Sequence, residues 1–315
     1  DGLKSYRSMT TQDDFEKATR EVFHKIHLSH LGDACIAERH TRLIDLDLMG
    51  LPADCLKGLK CADLGCGSAV HGTVNLLQLG AGYVHAMDLD DSIVEPATQR
   101  LNLYEAFSNR WQLDCGSLME LPYPDEHFEF VLCANVIHHT SHPEKAVKEI
   151  FRVLAPGAKA YLSVTGKGGL FNRLFKEILR EEYLSNPELQ QIVQNDQLEI
   201  WLRTQLDTLK LTIENDNTDS YEAAISLLDS LDKLIDTDLA LSLTDVVEAP
   251  TYRAFTQSEW FSILESTGFK DYYRFGRKLQ YNNVRKIFAP LYFDYNNPLA
   301  RLLYHDGAMN VVVSK

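Results

Sequence analysis

Apolar and polar positions along the chain follow two different periods. Over residues 12–31, Phe15, Ala18, Val22, Phe23, Ile26 and Leu28 recur at three- and four-residue spacing, which predicts an amphipathic helix. A second helix is expected over 34–49. From Lys60 the pattern changes to short apolar runs separated by helical stretches. The runs Lys60–Leu64, Tyr83–Asp88, Trp111–Cys115, Phe128–Ala134 and Ala158–Val164 read as strands. Helices are predicted over 71–79, over 91–107 and from Pro143 to Leu154, and Pro156-Gly157 reads as a turn. Strands alternating with helices of this length imply right-handed crossovers and a parallel sheet.

Gly166-Lys167-Gly168-Gly169 is a flexible hinge, and 170–248 reads as helices without a convincing strand. Thr256-Gln257-Ser258-Glu259 is a capping box that opens another helix, which Gly268 ends. A strand is expected over 269–275, an irregular or helical stretch over 277–306, and a last strand from Met309 to Val313. The expected fold is α/β: a Rossmann-like, seven-stranded, mostly parallel sheet with helices on both faces, plus a helical lid insertion. In such a sheet the connections leaving the carboxyl ends of the strands lie on the ligand side. The insertions after the fifth and sixth strands both leave such ends, so both are expected to roof one cleft.

Composition narrows the class without naming it. The 315 residues are 45% hydrophobic and 24% charged, ordinary for a globular protein. No apolar stretch is long enough to span a bilayer, and Asp1–Thr10 shows no signal-peptide core. None of the six cysteines forms a Cys-x-x-Cys pair, so zinc-ribbon and thioredoxin readings have no support. A reducing, cytoplasmic setting is expected. The net charge of −14 argues against a broad phosphate-binding surface. Glu181 to Glu248 holds 16 acids against 3 bases, so most of the excess sits in the lid. A solvated helical surface is the plain reading of that segment. One local basic stretch, Arg274 to Lys286, runs against the trend.

The chemistry concentrates at Asp63-x-Gly65-x-Gly67, which follows an apolar strand and precedes a helix. Its glycines permit a tight turn and a close ligand approach, and the helix start at Ser68 presents unpaired N–H groups that suit an anionic group. Asp88 ends the second strand, 21 residues after Gly67, where a carboxylate can accept from two ribose hydroxyls. Both features are shared with dinucleotide enzymes. The Gly-x-Gly-x-x-Gly of those enzymes would need glycine where Val70 stands.

Cys61-Ala62-Asp63-Leu64-Gly65-Cys66-Gly67-Ser68 resembles the first motif of class I S-adenosylmethionine-dependent methyltransferases. Three later stretches resemble the same family: Leu121 to Phe128, Leu132 to His139, and Arg152-Val153-Leu154-Ala155-Pro156-Gly157. The subgroup resembled includes the ubiquinone and menaquinone biosynthesis methyltransferases. The resemblance covers about residues 58–166 and, weakly, 255–275. It implies S-adenosyl-L-methionine as cofactor, with its methionine portion at Asp63, Gly65, Cys66 and Gly67. It further implies the ribose at Asp88, the adenine beside Leu89, Gly116, Ser117 and Leu118, and the sulfonium region along Asn135. Ser117 stands where the family carries an aspartate that meets the adenine amine; it can still accept a hydrogen bond but brings no charge. Ala69, Glu129 and Ala158 are further departures. On this basis residues 1–55 are expected to be N-terminal helices covering the cofactor cleft and 56–166 the cofactor-binding core. Residues 167–250 form the lid or substrate insertion. Residues 251–315 complete the core, with a second insertion at 276–306.

Methyl transfer is an in-line displacement at a carbon on positive sulfur, so alignment and exclusion of water supply much of the rate. The family has no fixed catalytic residue. His139 and His138, at the mouth of the cleft, are the candidate bases. His71 and the pairs Tyr6-Arg7 and Tyr252-Arg253 are candidate substrate contacts. No carboxylate cluster accompanies the histidines, so no metal site is expected. The enclosing lid favours a small-molecule acceptor, with nucleic acid disfavoured by charge. The alternatives are methylation of a macromolecule such as tRNA or a protein, a non-catalytic cofactor-binding subunit, and an NAD-dependent oxidoreductase. Oligomeric state is not encoded legibly.

Overall fold

A computed structural model describes residues 11–30, 43–216, 221–233, 235, 237–277 and 289–315. The chain alternates β1 (Lys60–Leu64), α2 (His71–Gln78), β2 (Tyr83–Asp88), α3 (Val94–Asn102), β3 (Trp111–Cys115), β4 (Phe128–Ala134), α4 (Pro143–Val153) and β5 (Leu154–Thr165), after an opening helix α1 (Gln12–His30). The lid follows as α5 (Ile178–Ser185), α6 (Pro187–Gln194), α7 (Leu198–Asp216), α8 (Tyr221–Asp232) and α9 (Thr237–Glu248). Then come α10 (Gln257–Thr267), β6 (Lys270–Phe275), α11 (Ala289–Phe293), α12 (Pro298–Tyr304) and β7 (Ala308–Ser314). No helix among the described residues is long and apolar enough to cross a membrane.

The seven strands form one sheet in the order β3-β2-β1-β4-β5-β7-β6. Neighbours from β3 through β5 are parallel, and β7 runs antiparallel to both β5 and β6. The connections reverse direction between β1 and β4, which opens a crevice at their carboxyl ends. The central strands are buried on both faces: Cys61 to Leu64 and Phe130 to Cys133 are almost wholly covered. α4 shows how the covering helices are specified. Pro143 occupies its first turn, and Ala146, Val147, Ile150 and Val153 are buried at helical spacing. α10 carries the expected capping box between Thr256 and Glu259 and ends on Gly268 at φ 113°.

Three local expectations are corrected. The expected helix over 34–49 lies partly outside the described residues, and its described end is a turn. Leu43, Ile44, Leu46 and Met49 are buried there as anchors of a folded loop, with Asp45 capping the Leu48 N–H. The expected helix over 91–107 is split into a 3-10 turn at Asp91–Ile93, α3, and a second 3-10 turn at Glu105–Phe107. Tyr104 leaves helical dihedrals and its ring stacks on Phe107. β5 starts four residues earlier than expected. Leu154 pairs with Phe128, and Pro156-Gly157 is absorbed as an irregularity in that register.

The lid packs on its own apolar cluster of Tyr183, Leu189, Val193, Leu198, Leu243 and Val247. A π-helical turn, Arg173–Glu177, leads into it. Arg180 donates to the carbonyls of Val246 and Val247, closing the carboxyl end of α9. In the basic stretch that begins at Arg274, the described arginines do not form an open positive surface. Arg274 donates to the side chain of Gln257 and the carbonyl of Asp306, and the buried Arg277 lies over the Phe293 ring.

Candidate functional site

A cavity of about 320 Å³ sits in the crevice at the carboxyl ends of β1 to β4. The loop after β1 forms its floor. Gly65 (φ 81°) and Gly67 (φ 59°) take left-handed conformations there. A Cβ on Gly65 would stand 2.2 Å from Val136 Cγ2, so glycine is required where this loop meets the one after β4. The N–H groups of Gly65 and Cys66 both donate to the Met87 carbonyl, which ties the loop to β2.

Asp63 lines the cavity at the end of β1 yet is nearly covered, at 4% exposure. Thr73 Oγ1 donates to it over 2.7 Å. Gly72 lets α2 approach: a Cβ there would lie 2.6 Å from Asp63 Oδ2. Burial pushes the Asp63 carboxyl up to about 6, against the opposing pull of the Thr73 hydrogen bonds. The neighbouring Cys66 thiol is raised for the same reason, which keeps it protonated and inert.

Asp88 organises two loops at once. Its Oδ2 accepts from the Gly67 N–H (2.9 Å) and its Oδ1 from the Asp90 N–H (3.0 Å). Each oxygen keeps a second lone pair for a ligand hydroxyl. Leu89 follows on the cavity wall, and Gly116, Ser117 and Leu118 bring in the loop after β3. Asn135 completes the wall from β4 at φ 62°, held by a 3.0 Å hydrogen bond from Ser163 Oγ to its Oδ1. The sequence-expected cofactor residues, from four separate loops, therefore border a single cavity.

The expected catalytic and substrate positions divide. His139 and His71 line the cavity. His138 does not: its Nε2 lies 3.4 Å from Thr165 Oγ1, and its carbonyl accepts from the Arg253 N–H. Tyr252 packs against both histidine rings at 5.8 and 5.7 Å without reaching the cavity wall. Arg253 is engaged with Glu144 at 2.7 Å. Tyr6 and Arg7 lie outside the described residues.

His139 is the better placed of the two histidines. The Phe23 ring meets it edge-on at 4.8 Å, and its Nε2 is 3.4 Å from Asp245 Oδ1 on lid helix α9. Burial lowers its proton affinity, and Asp245 offsets part of that loss. The ring is neutral near neutral pH and able to accept a proton.

Several cavity residues carry no motif. α1 crosses the opening and contributes Phe15, Glu16, Thr19, Arg20, Phe23 and His27. It is clasped at three loops. Ser68 Oγ donates to the His27 carbonyl (3.0 Å), His24 Nδ1 lies 3.2 Å from Asp90 Oδ2, and Ser117 Oγ donates to Glu16 Oε1 (2.5 Å). Burial opposes charge on Asp90, but the bonds from His27, Ser92 and His24 hold its carboxyl well below the usual range. The helical pattern of 12–31 was legible. Its apolar stripe reads as a core face, and nothing local marks Phe15, Phe23 and Ile26 as a cavity wall. Asp245 is one of the 16 acids in the lid, with no feature to single it out.

Known proteins resemble this chain over part or most of its length. Residues 62–162 match a family described as a methyltransferase domain. Demethylmenaquinone methyltransferase of Listeria welshimeri is 25% identical over 130 residues, covering 39% of this chain and 54% of that protein. The chain thus aligns with about half the length of the curated relatives it matches first. Among solved structures, 1,6-didemethyltoxoflavin-N1-methyltransferase of Burkholderia thailandensis, with bound S-adenosylhomocysteine, is similar at a TM-score of 0.52 and 13% identity. That match covers 98% of this chain and 91% of the other. The [4+2]-cyclase SpnF is similar at 0.51 and 15%, covering 96% of each chain. At such identities the two structures establish a shared fold.

Proposed function

We propose that this chain, whose residues 62–162 match a methyltransferase domain family, transfers a methyl group from S-adenosyl-L-methionine to a small-molecule acceptor. The observation that carries this reading is the convergence of Asp63, Gly65, Gly67, Asp88 and the loop at Gly116-Ser117 on one cavity beneath α1 and the lid.

The residues present fit the cofactor. The glycine turn leaves room for a ligand against the backbone where side chains would fill it. The ordered Asp88 carboxylate suits a ribose diol. When bound, S-adenosyl-L-methionine would supply the methyl carbon on its positive sulfur to the acceptor, the new bond balanced by loss of the carbon–sulfur bond with its electron pair remaining on sulfur. In this reading Asp63, Gly65, Cys66 and Gly67 hold the methionine end, Asp88 holds the ribose, and Leu89, Gly116 and Leu118 flank the adenine. Asn135 and Val136 border the sulfonium region. Phe23 and the lid exclude water from the path of attack. His139, which lines the cavity with Asp245 facing its Nε2, would receive the proton of an O–H or N–H acceptor.

Two features favour a small acceptor over a nucleic acid. The net charge is −14, and the described arginines near β6 are turned into aromatic and backbone contacts. The fold is also shared with a cyclase, so fold alone does not decide the reaction. The test is transfer of labelled methyl from S-adenosyl-L-methionine into cell extract by purified protein. Label in the dialysable fraction is the expected result. Label confined to RNA or protein refutes the small acceptor, and cofactor binding without any transfer refutes the enzymatic reading.

A further inference from the structure

The carboxylates around the cavity are not equally available to a ligand. Asp90 is saturated: one oxygen accepts from the N–H and hydroxyl of Ser92, and the other faces His24 and His27. Asp63 is bonded to Thr73 and belongs to the methionine position proposed above. Asp88 spans Gly67 and Asp90 at the ribose position proposed above. Asp245 stands at the far end beside His139. Glu16 differs. Its Oε1 accepts from Gln12 Nε2 (2.8 Å) and Ser117 Oγ (2.5 Å), and no hydrogen bond to its Oε2 occurs among the described residues. It is half-buried on the cavity wall, in line with Ser117.

The hydroxyl of Ser117 is already committed. It donates its one proton to Glu16 and accepts from the Met119 N–H (3.1 Å). The loop it belongs to is fixed to the ribose side, because the Gly116 N–H donates to the Asp88 carbonyl (2.9 Å). Ser117 thus holds a carboxylate from a distant segment at the point where a nucleoside bound at Asp88 would present its base edge. A carboxylate oxygen without a donor prefers an N–H partner and repels a carbonyl.

We propose that Glu16 of α1 is the residue that selects adenine, its free carboxylate oxygen accepting from the exocyclic amine, with Ser117 acting only to position it. The proposal rests on the cofactor reading above. It also makes α1 a part of the cofactor site: a base bound at Glu16 adds a contact that holds the helix across the cavity.

The experiment measures binding of S-adenosylhomocysteine and S-inosylhomocysteine by calorimetry to wild-type protein, Glu16→Gln and Ser117→Ala. Inosine carries a carbonyl in place of the amine. Wild-type protein should prefer the adenosyl compound at least tenfold. Glu16→Gln presents an amide that can donate to that carbonyl, so the preference should collapse to near unity or reverse. Ser117→Ala should weaken adenosyl binding severalfold while keeping the preference. Thermal melting of each variant without ligand checks that it folds, as expected for a half-buried helix position. Tight adenosyl binding with an unchanged preference in Glu16→Gln overturns the assignment and leaves the cofactor reading standing. Failure of the wild type to bind either compound overturns both.

Discussion

Replacing Asp63 by asparagine separates what the carboxylate costs the fold from what it does in the site. The group is 4% exposed, and burial pushes its carboxyl from 3.8 up to about 6, despite donation from Thr73. Between those values the folded protein holds a proton that the unfolded chain has released. Stability must therefore fall as pH rises through that window, and the loss is complete above about pH 6. The gap corresponds to about 3 kcal/mol. Asparagine is similar in shape and stays neutral. Its carbonyl can keep the 2.7 Å bond from Thr73 Oγ1, but its amide then faces the Thr73 N–H that also bonds the carboxylate. The net gain at alkaline pH is therefore smaller, about 1–2 kcal/mol. The assay is urea unfolding of ligand-free wild type and Asp63→Asn from about pH 4 to about pH 8, since other titrating groups cancel in the difference. The variant should be the more stable at high pH, and the difference should pass through zero and reverse by about 1–2 kcal/mol towards about pH 4. The same variant should bind S-adenosylhomocysteine at least tenfold more weakly. A stability difference that is constant across pH would refute the argument that a buried charge is being carried there.

Two further outcomes test the site's framework. Asp88→Ala removes the acceptor of the Gly67 and Asp90 amides as well as the proposed ribose contact. Calorimetry should show S-adenosylhomocysteine affinity falling at least tenfold, about 1.4 kcal/mol, and unchanged affinity would remove Asp88 from the ribose role. Gly65→Ala forces a side chain into a left-handed residue 2.2 Å from Val136 Cγ2, which should cost about 1–3 kcal/mol in urea unfolding. Adding Val136→Ala should restore part of that loss, because the two positions share one contact. Equal stability of Gly65→Ala and wild type would show that the loop is not constrained as described.

The parts of the fold that could be read without coordinates are those set by local alternation. The strands at Lys60–Leu64, Tyr83–Asp88, Trp111–Cys115 and Phe128–Ala134 fall where the apolar runs predict. Lys60–Leu64 and Phe128–Ala134, buried on both faces, need a continuous apolar stretch, whereas the edge strand Trp111–Cys115 is partly exposed. The capping box at Thr256 and the stop at Gly268 were legible for the same reason: caps are satisfied within a few residues. Local pattern fails where apolar spacing serves tertiary anchoring. Leu43, Leu46 and Met49 have helical spacing but insert into the core from a loop. Tyr104 breaks a helix that its sequence would allow.

The sequence alone determined which loop residues meet at the crevice, since Asp63, Gly65, Gly67 and Asp88 are fixed by the turn and strand end they occupy. Tertiary structure decided how that site is finished. The insertion of β7 between β5 and β6, antiparallel to both, is set by long-range pairing. The docking of α1 on the crevice places Glu16 against Ser117, 101 positions away, and the lid places Asp245 beside His139. A single carboxylate on an exposed helix face has no local pattern to mark it. Only the packing of one segment on another sets it on the cavity wall. That is why the glycine turn and His139 were readable from residues alone, while the placement of Glu16 and Asp245 at the cavity was not.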